Sequence, residues 1–522
     1  VDLSVRLVRG ADPSDLRRLI QKVAATEKED AFVLAFHSRN VRGGKGERAI
    51  FYELLAALSE VEPLITLELL PLVPEYGSWR DMFAIAAKSV TLHDRILDLA
   101  AVQLARDSLT PPGESISLLG KWAPREHRAG DEMAATLAGK LFPGRPDARK
   151  QYRQLVAALN RRLDTVETHM CGHSWAAIKP ATVPGRAGKL YAKAFLNIKD
   201  KDDVRCPEDA DRIACAEHFK AHFAAAAAGK ATVHGSKTVF PHEVVKKARS
   251  AELTEPEKDQ LKAVWSAMIG DAGALSDCIV MADFSGSMQT GTQGDTPYWV
   301  SMALGILGAT VCKAPFQGRL MTFDSTPTWH TFPSADLFAC LDSIHNRISQ
   351  GTSTDFQAAM ELVLKDLKTS RCRPGDEPKY LLVLTDMNWD QACASNGASA
   401  YTGATYRHHV KMAGWQTHLD MIKESFRRAG EDMHGPGQGL TPPQIVIWNL
   451  AANPTDFHAT ADTPGVSLLS GWSPTQFRVL QREGPRAMTP LETLRVELDD
   501  PQYDRVRDAI RSAAAAAAKK AE

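Results

Sequence analysis

Asp283-Phe284-Ser285-Gly286-Ser287-Met288 places one carboxylate and two hydroxyls at alternate positions of a short segment. The apolar run Cys278-Ile279-Val280-Met281-Ala282 comes just before it and reads as a buried strand. Three oxygen donors gathered just past a strand end suit a hard divalent cation such as Mg²⁺. Two later segments offer more oxygen. Gly351-Thr352-Ser353-Thr354-Asp355-Phe356 brings two threonines ahead of a helical pattern, and Leu381-Leu382-Val383-Leu384-Thr385-Asp386 ends a second apolar run on an aspartate.

A second chemistry is carried by basic residues. Between Lys140 and Lys193 lie eleven Lys and Arg residues against the three acids Asp147, Asp164 and Glu167. Within this stretch Arg149, Lys150, Arg153, Arg161, Arg162, Lys179, Arg186 and Lys189 are candidate phosphate contacts. Lys150, Arg153 and Arg161 share one face at helical spacing, which suits tracking of a polyanion with counterion release. Tyr152, Trp175 and Tyr191 in the same stretch are candidates for stacking on bases. Arg42, Lys45 and Arg48 flank Gly43-Gly44-Lys45-Gly46. That loop lacks the spacing and the Ser/Thr of a phosphate-binding P-loop, so it reads as a turn between helices whose cations reach backbone phosphates.

The elements that must position these groups divide the chain. Residues 1–274 show apolar residues at three and four spacing, with helices expected near 50–58, 64–70, 92–107, 131–141, 147–168, 209–228, 241–250 and 256–269. Successive helices of this kind imply an all-α, HEAT-like helical-repeat array. Residues 275–488 alternate strands at 278–283, 318–323, 380–385, 444–449 and 466–469 with helices near 297–313, 334–345, 355–368 and 409–428. This is the pattern of an α/β, Rossmann-like parallel sheet covered on both faces. Residues 489–522 read as a C-terminal helical extension.

Together these motifs resemble a known combination. The Asp283, Ser285, Ser287, Thr354, Asp386 series resembles the metal-ion-dependent adhesion site of von Willebrand factor A domains, with Thr354 rather than Thr352 at the family's distance from the following helix. Arg42-Gly43-Gly44-Lys45-Gly46-Glu47-Arg48, Tyr76-Gly77-Ser78-Trp79-Arg80-Asp81 and Lys121-Trp122-Ala123-Pro124 resemble uncharacterised proteins that fuse a helical region to an A domain. More distantly, the chain is similar to the Ro autoantigen and other TROVE-module proteins. The resemblance implies Mg²⁺ (Ca²⁺ or Mn²⁺ in its place) held by the five residues, with Asp386 orienting metal-bound water. It also implies a helical ring that handles single-stranded or structured noncoding RNA, in a ribonucleoprotein with a role in RNA quality control. The alternative is a metal-dependent adaptor, in which a partner's Asp or Glu completes the metal shell, or a self-assembling structural protein without RNA.

Composition narrows the classes. A net charge of −1 over 522 residues makes the molecule no bulk polycation, so any nucleic-acid contact must be local. Eight scattered cysteines without a CxxC pair read as small hydrophobes of a reducing compartment. No leader-like or spanning apolar run occurs, so a cytoplasmic protein that makes no membrane contact is expected. GxSxG, HExxH and spaced Cys/His clusters are missing from the sequence, and a non-enzymatic role is expected.

Overall fold

The computed structural model describes residues 1–199, 203–233, 239–250, 252–289, 295–322, 327–344, 356–386, 420–451, 466–472 and 489–521. The chain forms two compact units, and neither is continuous in sequence. Residues 11–222 with 498–522 make a helical unit, and residues 1–10 with 223–497 make an α/β unit. The two ends of the chain therefore leave the segments 1–274 and 489–522 in which the sequence placed them.

In the helical unit, α1 (Pro13–Thr26) starts where Asp12 accepts from the backbone N–H groups of Ser14 and Asp15 at 2.9 and 3.0 Å, with Pro13 at the first helical position. Leu16, Ile20 and Ala24, four residues apart, form its buried stripe. α2 (Lys28–Arg39) is buried at every residue from Ala31 onward, because α1, α3 (Arg48–Val61) and the C-terminal helix Asp504–Ala521 all pack on it. Farther along, α4 (Trp79–Ala86), α5 (Val90–Leu109), α6 (Asp131–Leu141) and α7 (Ala148–Leu163) each pack on the next. Leu97, Leu104, Leu119, Leu137, Tyr152 and Val156 make a shared core there. The helices expected from periodicity are present. The one expected over 147–168 breaks after Leu163, where Asp164 takes a left-handed conformation.

One polar contact is sealed inside this apolar packing. Arg39 and Asp81 form an ion pair at 2.7 Å (Nη2) and a hydrogen bond at 2.9 Å (Nε), with side-chain exposures of 2% and 0%. Tyr52 Oη and Ser78 Oγ also donate to Asp81. Gly77 lies against the pair. A Cβ there would overlap Asp81 Oδ2 and lie 2.8 Å from Arg39 Nε.

In the α/β unit, β1 (Cys278–Ala282), β2 (Arg319–Thr322), β3 (Trp329–Thr331), β4 (Tyr380–Thr385), β5 (Gln444–Asn449) and β6 (Val466–Ser470) form one sheet in the order β3-β2-β1-β4-β5-β6. All neighbours are parallel except β3, which runs against β2. Period-2 alternation divides each strand between two cores. Cys278, Val280 and Ala282 meet α8 (Pro297–Val311) on one face, and Ile279 and Met281 meet α9 (Phe356–Thr369) on the other. At Gly308 of α8 a Cβ would overlap Val280 Cγ2, so this helix reaches the sheet only with glycine at that position.

The five expected strands are present within a residue or so. Three-residue β3 was not anticipated, since Trp-His-Thr is too short to show a period. The helix expected over 409–428 is described from 420, runs to 434 and ends before Gly435, whose φ is +102°. Its first part lies outside the described residues. Residues 1–10 dock near the carboxyl ends of β5 and β6. Asn449 Nδ2 donates to Val5 O at 3.0 Å, Ser470 Oγ donates to Ser4 O at 2.8 Å, and the Arg9 guanidinium lies 4.5 Å from the centre of the Trp472 ring.

Replacing Gly77 with alanine should push Asp81 off Arg39 and lower stability by roughly 3–5 kcal/mol, the scale of a broken buried ion pair. Denaturant unfolding of Gly77→Ala beside an alanine exchange at exposed Ser108 checks this. Equal midpoints would refute it.

Candidate metal centre and the basic faces

Asp283 continues β1 by one residue. Its N–H donates to Leu384 O at 2.9 Å, which sets it beside Thr385 at the end of β4. Thr385 Oγ1 donates to Asp283 Oδ2 at 3.0 Å, and the backbone N–H of Ser285 donates to Oδ1 at 2.8 Å. Ser285 Oγ and Ser287 Oγ are 3.0 Å apart. Phe284 and Met288 on either side of the two serines are buried in the apolar core and anchor the loop at both ends, while the two hydroxyls stay together. Asp386 follows Thr385 and is also buried. β1 and β4 flank the point where strand order reverses, and open α/β sheets form their ligand crevice at the carboxyl ends there.

The electrostatics follow from this placement. Burial pushes the Asp283 carboxyl up to about 6, and the charge of Asp386 adds to the rise; the bonds from Ser285 and Thr385 oppose it. None of these leading influences is a basic side chain. A carboxylate sealed in this way is costly unless a cation neutralises it. The donors are all oxygen, matching Mg²⁺ and Ca²⁺ rather than softer ions. Among the described residues no group of three or more His, Cys, Asp and Glu side chains is placed to hold a metal. An ion here would rest on two carboxylates and two serine hydroxyls. Thr354, the fifth predicted ligand, and its rival Thr352 lie outside the described residues. Thr385 was not singled out from the sequence; its signal was a hydroxyl at the strand end next to Asp386.

The predicted phosphate contacts separate into three groups. On α7 the residues Tyr152, Val156 and Leu159 are buried, and Arg149, Lys150, Arg153, Arg161 and Arg162 are exposed. Arg149 and Arg153 pair with Asp131 and Glu126, whereas Lys150 and Arg161 make no ion pair among the described residues. Arg162 is turned to the end of α5. There it donates to the carbonyls of Asp107, Thr110, Pro111 and Glu114, so it serves as a helix cap, not a free cation. Lys179, Arg186 and Lys189 are exposed on the segment that follows.

Around the glycine loop the expectation is corrected. Lys45 is 1% exposed and its charge acts on buried His37, so it is withdrawn from solvent. Arg42 donates to Glu75 O at 2.7 Å. Gly44 admits no Cβ, which would overlap His37 O. Of the three cations only Arg48 is left without a hydrogen bond or ion pair among the described residues, and it is half-buried. The stacking residues are corrected too. Tyr152 is core and donates to Pro124 O at 2.9 Å, and Trp175 is buried 3.7 Å beneath the Arg212 guanidinium. Tyr191 packs edge-on against Phe195.

Comparison with known proteins adds relatives by sequence. Residues 80–272 match the family model described as Domain of unknown function (DUF2828), and residues 277–515 match Domain of unknown function (DUF7788). The chain is also similar to Uncharacterized protein L728 of Acanthamoeba polyphaga mimivirus, 24% identical over 501 residues that cover 91% of this chain and 80% of the viral one. The similarity thus runs through both units. No helix among the described residues is long and apolar enough to cross a membrane.

The pH dependence of the metal-free protein carries a signature of Asp283. Its folded value is raised from 3.8 to about 6, so the stability it contributes is full below pH 4 and lost as pH rises through about 6. Asp283→Asn should remove that loss, gaining up to about 3 kcal/mol over wild type above pH 6 in the presence of EDTA. Thermal melts of both proteins from pH 4 to 8 test it; parallel profiles would contradict the assignment.

Proposed function

We propose that the chain is an RNA-binding scaffold, similar in plan to the Ro proteins. In this reading the α/β unit is a von Willebrand factor A-like domain and the helical unit a HEAT-like array. The observation that carries the RNA reading is α7. Tyr152, Val156 and Leu159 turn inward, and the outer face presents Lys150 and Arg161 beside Arg149 and Arg153, the last two paired with Asp131 and Glu126. Such a face attracts phosphates without reading sequence, as a quality-control factor for noncoding RNA requires. The described cysteines are free thiols, which supports action in a reducing, cytoplasmic setting. No catalytic step is assigned.

Asp283, Ser285, Ser287 and Asp386 would hold Mg²⁺, with Thr354 as a further ligand. Their fit rests on the buried Asp283 carboxyl and the oxygen-only donor set. When bound, the ion would supply a coordination position open to a carboxylate oxygen of another molecule. Thr385 and the Ser285 N–H hold the Asp283 carboxylate in place for that role.

The same geometry favours a second reading, in which the metal site captures an acidic residue of a protein partner or of a second copy, and the helical unit is only a platform. The two readings differ in what they lose. A Lys150→Glu/Arg153→Glu/Arg161→Glu variant should weaken single-stranded RNA binding ~100-fold at low salt and flatten its salt dependence. Fluorescence anisotropy at two salt concentrations measures this. If wild type binds no RNA even at low salt, the RNA reading fails. Mg²⁺-dependent association that is lost in Asp283→Asn and in EDTA, read by size-exclusion chromatography, would then support the adaptor.

A further inference from the structure

Two buried serines of the helical unit show how a helix ordinarily settles a hydroxyl. Ser38 and Ser59 each donate to a carbonyl three residues back, Ala35 O and Ala56 O, at 2.6 Å. Ser301 in α8 does not. It is 0% exposed, and its Oγ has no hydrogen-bond partner among the described residues. The buried residues around it on α8 are apolar, from Val300 and Met302 to Ala303 and Leu304. A sealed hydroxyl left unbonded costs stability, so this position calls for a partner that the described chain does not supply.

Contacts on either side of Ser301 fix what it faces. A Cβ on Gly308 would overlap Val280 Cγ2, and one on Gly305 would lie 3.4 Å from Ala282 Cβ. α8 thus runs antiparallel to β1, nearing the carboxyl end of the strand as its own numbering falls. In its first turn the Tyr298 ring lies 5.8 Å from that of Phe284. Ser301 comes between these contacts, and positions 301, 305 and 308 share the sheet-facing side within about 60° at 100° per residue. The step of about 6 Å from Gly305 to Ser301 passes Ala282 by roughly two strand residues, which brings it level with Asp283 and Phe284. α8 also packs on β4 and on the turn Gly286–Gln289, which holds Ser287. On β4, Leu382 and Leu384 belong to the α8 face, and the next position of that alternation is buried Asp386.

We propose that Ser301 is a further polar group of the metal centre, its hydroxyl bonding to a water of the ion's shell. The proposal rests on the reading of Asp283, Ser285, Ser287 and Asp386 as a Mg²⁺ site. It adds a residue from outside those motifs, on the helix that follows the serine loop. Mg²⁺ keeps several of its waters when bound, and side chains beyond its ligands hold those waters in place. Ser301 is in this sense a positioning residue. Its hydroxyl is a cost to the metal-free protein, and the cost is offset when the ion brings water to it.

The test uses the full chain with Mn²⁺ as the probe, the free ion being counted by electron paramagnetic resonance, together with thermal melts in EDTA. Ser301→Ala should weaken Mn²⁺ binding ~10-fold, the scale of a lost outer-shell partner. Its melting temperature in EDTA should equal or exceed that of wild type, because alanine removes a hydroxyl that had no partner. Ser301→Thr, which keeps the hydroxyl, should bind Mn²⁺ more tightly than Ser301→Ala. A serine that only serves the fold does not weaken metal binding while leaving the metal-free protein as stable. Melting of Ser301→Ala lowered as much in EDTA as in Mn²⁺ would mark a bond within the fold and overturn the proposal. Mn²⁺ binding equal in wild type and Ser301→Ala but lost in Asp283→Asn overturns the role of Ser301 and leaves the metal centre standing. No binding of Mn²⁺ by wild type removes both.

Discussion

Parallel pairing of β1 with β4 decides where the α/β unit can put its charge. The two strands are paired along their whole length, from Cys278 against Tyr380 to Ala282 against Leu384, and both are covered on both faces by apolar side chains. No polar group fits between the ends of such strands. The first polar residues to emerge are Asp283 and Thr385, and the register makes them neighbours although 102 residues separate them in the chain. Because the sheet seals Asp283 as well as positioning it, its carboxyl is held up by burial and by the nearby Asp386. A site that disfavours its own negative charge is one that gains from a cation.

The helical unit meets the problem of buried charge differently. There the charge is paired within the protein, by Arg39 with Asp81, and the surrounding chain is shaped to fit the pair. Gly77 is small because a side chain would overlap it, and Tyr52 and Ser78 complete the hydrogen bonds of Asp81. His37, Asn40 and Tyr503 form a second buried polar group nearby, with His37 Nδ1 2.9 Å and Asn40 Nδ2 3.2 Å from Tyr503 Oη. Burial and the charge of Lys45 drive His37 down to about 3, so it is neutral across the physiological range. The conspicuous Gly-Gly-Lys-Gly and Tyr-Gly-Ser-Trp-Arg-Asp segments are thus largely the framework of these polar contacts.

Much of this was legible in the sequence. Helical periodicity in the first half, five of the six strands, and the Asp283, Ser285, Ser287 and Asp386 positions at strand ends all follow from local rules, since side-chain period and strand-end chemistry are properties of a few consecutive residues. The direction of charge on α7 was legible for the same reason: Lys150, Arg153 and Arg161 share a face by helix geometry alone. Tertiary packing decided the rest. Lys45, Arg162, Tyr152 and Trp175 read as surface groups by type, yet Lys45, Tyr152 and Trp175 are buried and Arg162 is tied to the carbonyls ending α5. The membership of the chain ends was likewise set by long-range contacts, Val5 with Asn449 and Tyr503 with His37, which leave no local periodic mark. Sequence fixes what a residue can do within its own element; whether its charge meets water, a carbonyl or a buried partner depends on neighbours hundreds of positions away.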